Sequence, residues 1–359
     1  MKLNSFTLKC CLTISVLLSA NEITKWNAPI SGQEYGNSDV SALMEDSFHG
    51  QTTWRNFDLL HSLDNHNSPI NDLVFHPKGE YLVSVGSFND PRMRFWQVAE
   101  GQEVHHQRAD GSAMNALVYS PDGKTIVSSG QSSHIRIWNG DTGAYESSLL
   151  LHANNVTALA ITPDSETLVS GGLDGIRVWN LVFRRPAYIL TGVGNPSYAL
   201  GIHPNGRTLA SGDGRGRVTL WDLTTAQKIG EIQPHQSKIN GLVFTPDGRY
   251  LLTSSEERMI KVWDVATRRQ VSQFGQHGDR IRTIALSPDG TTLASGGNDG
   301  VRIWDFNTRE QIGFIPYSQD WVNSLAFSPD STILATGSFN TRIDLWQKGR
   351  IRDIVPQEE

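Results

Sequence analysis

The chain has 359 residues, and its 31 lysine and arginine residues against 37 aspartate and glutamate residues give a net charge of −6. This acidic balance argues against a surface that follows nucleic-acid phosphates. Length alone would suggest two domains. The chain contains internal repeats, however, and these indicate one cooperative body instead.

The N-terminal region has the pattern of a secretory signal peptide followed by a leader. Lys2 and Lys9 precede an apolar run from Cys10 to Ala20, which is short for a membrane span and ends in small residues. Cleavage near Ala20 would remove both cysteines of the chain. Residues 21–51 are polar without a sustained period, which is typical of a flexible leader. Residues 1–20 therefore predict an exported protein, in the periplasm or another extracytoplasmic compartment.

From residue 52 onwards the sequence repeats seven times. Each repeat splits short apolar and β-branched runs with turn sequences such as Ser287-Pro288-Asp289-Gly290, in which proline presets φ and glycine closes the turn. One unit cannot bury its apolar face alone, so the repeats predict a single all-β array of four-stranded meanders. The repeats are marked by tryptophans at steps of 41 or 42 residues: Trp96, Trp138, Trp179, Trp221, Trp263, Trp304 and Trp346.

This pattern, over residues 52–346, resembles the WD-repeat (beta-transducin-like) family, and its turn style is similar to that of bacterial members. The full Trp-Asp pair occurs at 221–222, 263–264 and 304–305. The resemblance implies a seven-bladed β-propeller of four-stranded antiparallel blades over residues 52–348, followed by a C-terminal tail at 349–359.

The resemblance also implies a structural hydrogen-bond network of tryptophan, serine, histidine and aspartate inside a blade. The fifth repeat has His235, Thr253 and Glu257 as a variant of it. The second, fourth and seventh repeats place Asp110, Val193 and Ser318 at the histidine position, so we expect their blades to be less rigid. Three repeats carry the complete set: His66, Ser84, Asp90 and Trp96; His152, Ser170, Asp174 and Trp179; His277, Ser295, Asp299 and Trp304.

Serine, histidine and aspartate also compose a hydrolase triad. Here the set recurs at the repeat spacing and always beside a tryptophan, which favours the structural role. Eleven histidines could suggest a metal site, but four of them occupy the repeat position. We therefore predict no catalytic residue, no metal site and no cofactor.

Ring closure must join the first and last blades or leave exposed strand edges. The stretch RNFDLLHSLDNH at 55–66 aligns with the outer strand that follows Trp221. We expect it to complete the seventh blade, with Phe57, Leu59 and Leu63 on the packed face. The alternative is an outer strand formed by residues 350–355.

One face of the ring is predicted to bind a partner. Trp321 has the side-chain type of interface hot spots, although it could instead pack against the closing blade. Tyr198, Phe339, Phe88 and Glu256 should lie near the same rim. The variable residues that precede the first strand of each blade should surround the channel: Pro69, Ala113, Asn155, Pro196, Lys238, Arg280 and Trp321.

The resemblance implies a rigid, non-catalytic platform that binds other proteins. We predict an exported scaffold, monomeric within a larger complex, that binds a protein or peptide around the channel mouth. Neither nucleic acid nor a membrane span after signal removal is expected. One alternative is a small-ligand-binding or enzymatic propeller acting in the channel mouth, and another is a cytoplasmic or membrane-anchored scaffold.

Overall fold

The computed structural model describes residues 52–109, 111–190, 196–317 and 320–350, and these form seven four-stranded antiparallel sheets. The seven-bladed β-propeller predicted from the repeats is confirmed. The predicted signal peptide, the leader and most of the C-terminal tail lie outside these ranges.

Six blades each use four consecutive strands, and the seventh uses strands from both ends of the propeller. Blade 1 contains β2 Ile70–Phe75, β3 Tyr81–Gly86, β4 Arg92–Gln97 and β5 Gln102–Arg108. Blade 2 contains β6 Met114–Tyr119, β7 Thr125–Gly130, β8 His134–Asn139 and β9 Tyr145–Leu150. Blade 3 contains β10 Val156–Ile161, β11 Thr167–Gly172, β12 Gly175–Asn180 and β13 Arg185–Leu190. Blade 4 contains β14 Ser197–Ile202, β15 Thr208–Asp213, β16 Val218–Asp222 and β17 Gln227–Ile232.

The remaining blades follow the same order along the chain. Blade 5 contains β18 Ile239–Phe244, β19 Tyr250–Ser255, β20 Ile260–Asp264 and β21 Arg269–Gln273. Blade 6 contains β22 Ile281–Leu286, β23 Thr292–Gly297, β24 Gly300–Asp305 and β25 Gln311–Ile315. Blade 7 contains β26 Val322–Phe327, β27 Ile333–Ser338, β28 Ile343–Arg350 and β1 Thr52–Leu63.

The hydrophobic core lies between neighbouring blades. Second strands such as β23 are buried along their whole length, whereas outer strands such as β5 are largely exposed. Each innermost strand contacts the innermost strands of the blades on either side, and β26 contacts β2 to complete the circle. One apolar cluster accordingly joins Leu82 and Trp96 of blade 1 to Ile343 and Leu345 of blade 7.

The turns that separate the first two strands of each blade have the predicted chemistry. In blade 6 the Gly290 N–H donates to the Ser287 carbonyl at 2.8 Å, and the Thr291 N–H donates to the Asp289 carboxylate at 2.9 Å. Gly290 has φ +72°, in the left-handed region that favours glycine. The turn is therefore closed by its own residues, and the Asp289 N–H also donates to the Ser331 hydroxyl of blade 7 at 3.2 Å.

Ring closure by the N-terminal strand is confirmed, because β1 pairs antiparallel with β28. Phe57 contacts Trp346 and Leu63 is buried, but Leu59 is 47% exposed, so its predicted place on the packed face is wrong. The register shifts between Thr53 and Phe57 and again between Leu59 and His61, which breaks the simple alternation of faces along β1.

Trp54 is an anchor of β1 that the sequence patterns did not single out. Its side chain is buried in the cluster between blades 6 and 7, where the ring contacts Phe327. Its indole N–H donates to the carbonyl of Ser331. The N-terminal strand is therefore held by a deep side chain as well as by its ladder of backbone hydrogen bonds.

Candidate functional site

The three complete repeats form continuous side-chain networks inside their blades. In blade 1, His66 bonds Asp90 through Nδ1 at 2.9 Å and Ser84 through Nε2 at 2.7 Å, and the Trp96 indole donates to Ser84 at 2.8 Å. Blades 3 and 6 repeat these contacts at 2.6–2.8 Å between the residues named above for those repeats. The network ties the second and third strands to the loop that precedes the blade.

An arginine two residues before each of these tryptophans joins the carboxylate, and sequence reasoning missed it. The distances are 3.0 Å for Arg94 to Asp90, 2.9 Å for Arg177 to Asp174 and 2.9 Å for Arg302 to Asp299. The constant spacing of two residues between arginine and tryptophan could have identified this arginine from the sequence. The arginine supplies the positive charge that a carboxylate in this setting requires.

The electrostatics of the network keep the histidines neutral and the carboxylates charged. Burial lowers the pKa of His66, and it does the same for the histidines of blades 3, 5 and 6. Burial alone would raise the pKa of Asp90, but the hydrogen bond from His66, the charge of Arg94 and the hydrogen bond from the Asn67 N–H hold it at about 2. A neutral imidazole between a carboxylate and a hydroxyl is consistent with both of its hydrogen bonds.

The serine of this network cannot act as a hydrolase nucleophile in this arrangement. Ser84 is completely buried, and its oxygen already bonds His66 and Trp96. A catalytic serine must face a substrate and an oxyanion hole. The geometry therefore favours the structural role over the triad.

Blades 2, 4 and 5 lack the complete set of four residues and have different side-chain contacts around the tryptophan. In blade 5, His235 bonds both Glu257 and Thr253 at 3.0 Å, but the Trp263 indole nitrogen has no partner among the described residues. Blades 2 and 4 retain the tryptophan–serine bond, from Trp138 to Ser128 at 2.8 Å and from Trp221 to Ser211 at 2.9 Å. Asp110 and Val193 lie outside the described residues.

Blade 7 replaces the histidine with a tyrosine. Ser318, which we aligned with the histidine position, lies outside the described residues, but the preceding Tyr317 is 2.7 Å from Thr336 and donates to Asp344 at 2.9 Å. The Trp346 indole donates to Thr336 at 3.2 Å. This blade thus has a buried polar network of its own.

A cavity of about 620 Å³ lies at one mouth of the central channel. Phe88, one of the seven residues predicted to bind the partner, is exposed but does not line this cavity. Ala113 is buried, and Pro196 does not line the cavity. The wall includes six residues of the predicted face: Tyr198, Lys238, Glu256, Arg280, Trp321 and Phe339.

An exposed aromatic pair forms the blade 7 side of this mouth. Trp321 and Phe339 are 40% and 49% exposed, and their ring centroids are 4.9 Å apart. The guanidinium carbon of Arg282, in β22, lies 4.4 Å from the centroid of the Trp321 ring. On the blade 4 side, Lys238 lies 5.2 Å from the ring of Tyr198. Both contacts have the geometry of cation–π interactions.

Arg282 and Tyr198 interrupt a belt of hydrogen bonds around the channel. The second residue of most innermost strands donates from its side chain to the first residue of the next blade, which ties neighbouring blades together. No such bond starts from Tyr198 or Arg282 among the described residues, and both side chains line the mouth instead. The belt consists of Asn71 to Met114 at 2.6 Å, Asn115 to Val156 at 3.0 Å, Thr157 to Ser197 at 2.5 Å, Asn240 to Ile281 at 2.7 Å and Asn323 to Ile70 at 3.0 Å.

Deeper in the channel, Asp72 presents a carboxylate on the wall between blades 7, 1 and 2. It accepts hydrogen bonds from the Leu117 N–H at 2.8 Å, the Leu73 N–H at 2.9 Å and the Ser324 hydroxyl at 2.9 Å. Burial raises the pKa of Asp72 to about 6 in spite of these donors. The sequence analysis did not single out this residue, because its surroundings come from three blades.

No described helix is long and apolar enough to cross a bilayer. No group of three or more histidine, cysteine or acidic side chains that could hold a metal ion occurs within the described ranges.

Comparison with known proteins identifies the repeats and a set of relatives. The chain is 27% identical over 52% of its length to a periodic tryptophan protein 2 homolog of Dictyostelium discoideum. It is 32% identical over 45% of its length to the target of rapamycin complex subunit wat1 of Schizosaccharomyces pombe. It is also 24% identical over 48% of its length to transducin beta-like protein 3 of Rattus norvegicus.

The chain spans only part of these relatives, namely 21%, 52% and 23% of their respective lengths. All three are eukaryotic proteins, so they do not support the predicted bacterial type. The family model of the WD domain, G-beta repeat, matches seven segments: 57–97, 101–139, 144–180, 185–222, 226–264, 268–305 and 310–347. These segments take in all seven repeat tryptophans, and the chain therefore belongs to the WD40 family of G-beta repeat proteins.

Proposed function

We propose that this propeller is a non-catalytic scaffold that binds a protein or peptide partner at the channel mouth lined by Trp321. The observation that carries the proposal is the exposed pair of Trp321 and Phe339 beside Arg282. Aromatic residues and arginine dominate the binding energy of protein interfaces. A WD40 propeller fits this role, because its blades hold such a surface rigidly.

The test is quantitative capture of partners by the full-length tagged chain after chemical crosslinking in the source cells. Trp321→Ala, alone or with Arg280→Ala, should weaken capture, since removing a central aromatic anchor costs about 2 kcal/mol or more. The melting temperature should change little, because Trp321 is partly exposed. Phe183→Ala is the matched control, since Phe183 is 66% exposed in the turn between β12 and β13.

Capture that is unchanged in the Trp321 variants would contradict the proposal. If Trp321→Ala instead abolished cooperative melting, the side chain would be a core residue of the closing blade. A propeller that acts on a small ligand would give a third result, in which no polypeptide is captured by the wild-type chain or by the control.

We further propose that the protein is exported after removal of residues 1–20. The support is the order of charge and apolar residues from Lys2 to Ala20. The mature protein should have an N terminus near residue 21 and be recovered outside the cytoplasm. Intact residues 1–20 on protein from the cytosolic fraction would contradict export and favour a cytoplasmic scaffold, whereas intact residues on membrane-bound protein would favour an anchor.

A further inference from the structure

The charges at the channel mouth are distributed unevenly. The wall formed by blades 5 and 6 carries three cations, Lys238, Arg280 and Arg282, against one carboxylate, Glu256. The lining residues from blades 1–3, such as Asn115 and Asn155, are uncharged. A chain with a net charge of −6 thus has a locally positive half-mouth.

Two of these cations form no ion pair among the described residues, although the charges of Glu256 and Asp279 both favour the charged form of Arg282. Arg280 pairs with Glu256 at 3.7 Å, but Lys238 and Arg282 make no described ion pair. Arg282 donates through Nε to the Asn298 side chain at 2.8 Å, and its guanidinium carbon lies 4.4 Å from the centroid of the Trp321 ring. Burial lowers the pKa of Arg282, which means that its charge is incompletely solvated.

An anionic ligand group would supply what these side chains lack. Carboxylates form short, charge-assisted hydrogen bonds to guanidinium groups, and a desolvated site strengthens them. The rings of Trp321 and Phe339 beside Arg282 would pack against an apolar or aromatic side chain. We propose that the mouth selects an acidic peptide segment that carries an aromatic residue next to its carboxylates.

This inference rests on the proposed function and adds the chemistry of the partner. A peptide fits better than a nucleic acid, because Glu256 and the net negative charge of the chain would oppose a continuous line of phosphates. The asparagine and hydroxyl side chains of the uncharged half-mouth can form hydrogen bonds with the backbone N–H and C=O groups of a peptide.

The test is fluorescence anisotropy with the full-length chain and three fluorescein-labelled peptides, GEEWEEG, GQQWQQG and GKKWKKG. The acidic peptide should bind about tenfold more tightly than the neutral one at low salt, and the difference should shrink as salt rises. Arg282→Gln and Lys238→Gln should each remove most of that preference. Lys124→Gln should not, because Lys124 lies in an exposed turn between β6 and β7, at the strand ends opposite the mouth.

Equal or tighter binding of the neutral or basic peptide would overturn the acidic preference while leaving a peptide scaffold intact. Binding of none of the three peptides, or tighter binding of labelled oligothymidine, would also overturn it. A different result would contradict the proposed function, namely capture of partners that Trp321→Ala does not change. Melting curves and Arg282→Lys, which keeps the charge and should retain part of the preference, distinguish lost recognition from lost folding.

Discussion

Phe57 of β1 and Trp346 of β28 pack edge to ring with their centroids 6.0 Å apart, which joins the two ends of the propeller inside one blade. The closure is non-covalent, so it depends on the side chains that β1 buries. Deleting residues 52–63 should open the ring, because it removes Trp54, Phe57 and Leu63. Full burial of a side chain such as Leu63 contributes about 1.5–3 kcal/mol, in a fold whose total stability is about 5–15 kcal/mol, and the half-buried Phe57 contributes less.

The expected result of that deletion is a sharp fall in melting temperature and association through the bare edge of β28, measured by calorimetry and size-exclusion chromatography. A chain that ends at Lys348 is the comparison, since among the described contacts of β1 it loses the pairs of Thr52 with Arg350 and Thr53 with Gly349 and the exposed hydrogen bond from Asn56 to Arg350. The reverse order of damage would contradict closure by β1. Leu59→Ala should change stability by less than about 0.5 kcal/mol, because Leu59 is exposed.

Blade 5 offers a test of the side-chain network. Trp263 lacks an acceptor beside Thr253, whereas the equivalent tryptophan of blade 6 bonds Ser295 at 2.8 Å. In the Thr253→Ser variant, the hydroxyl should be able to accept a hydrogen bond from the Trp263 indole. The free energy of unfolding should therefore rise by about 1 kcal/mol, after allowing for the lost methyl group. Denaturant titration at neutral pH measures the change.

The matched control for this exchange is Thr336→Ser in blade 7. Thr336 already accepts from Trp346 at 3.2 Å, so the same substitution removes a methyl group there without supplying a missing hydrogen bond. It should leave stability unchanged or lower it slightly. If both variants gained stability alike, the orphaned indole of Trp263 would not be the cause.

Asp72 predicts a pH dependence of stability with a definite sign. Its folded-state pKa is about 6, above the ordinary value of 3.8. Its contribution to stability is therefore fully present below pH 3.8 and is lost as the pH rises through about 6. Between pH 4 and pH 7 the wild type should lose up to about 3 kcal/mol relative to Asp72→Asn, because the amide does not ionise.

The quantity to compare is the slope of unfolding free energy against pH, since Asp72→Asn also exchanges one hydrogen-bond acceptor for a donor and shifts the baseline. Asp58→Asn, at an exposed position of β1, is the control for the loss of one carboxylate from the chain. Parallel curves for wild type and Asp72→Asn would show that the channel carboxylate titrates in its ordinary range.

The sequence predicted the parts of this molecule that depend on local chemistry. The tryptophan period and turns such as Ser287 to Gly290 correctly indicated the number of blades and their strands, because each motif contains its own partners. Leu59 was misplaced because strand alternation holds only without bulges, and the bulges of β1 arise from its pairing with the distant β28. Tyr317 was missed because it enters the blade 7 network from a position next to the aligned one.

The sequence analysis also identified most of the residues that line the mouth, but it did not identify Arg282. Trp321, Lys238 and Arg280 stand just before the first strands of their blades, so the repeat alignment was enough to find them. Arg282 lies inside β22, where the pattern predicts only a strand residue. Its position at the mouth is visible only in the structure, from its contact with the ring of Trp321 in the next blade and from the belt of hydrogen bonds that it interrupts.

The central claim is that the mouth beside Trp321 is where this propeller meets its partner. The most direct measurement places the photocrosslinker p-benzoylphenylalanine at position 339, on the mouth, or at position 183, in the exposed turn of blade 3, in protein expressed in its source cells. We predict a crosslinked partner polypeptide from position 339 that disappears with Trp321→Ala, and none from position 183. Crosslinking of the same polypeptide from position 183 alone, or from position 339 regardless of Trp321, would contradict the claim.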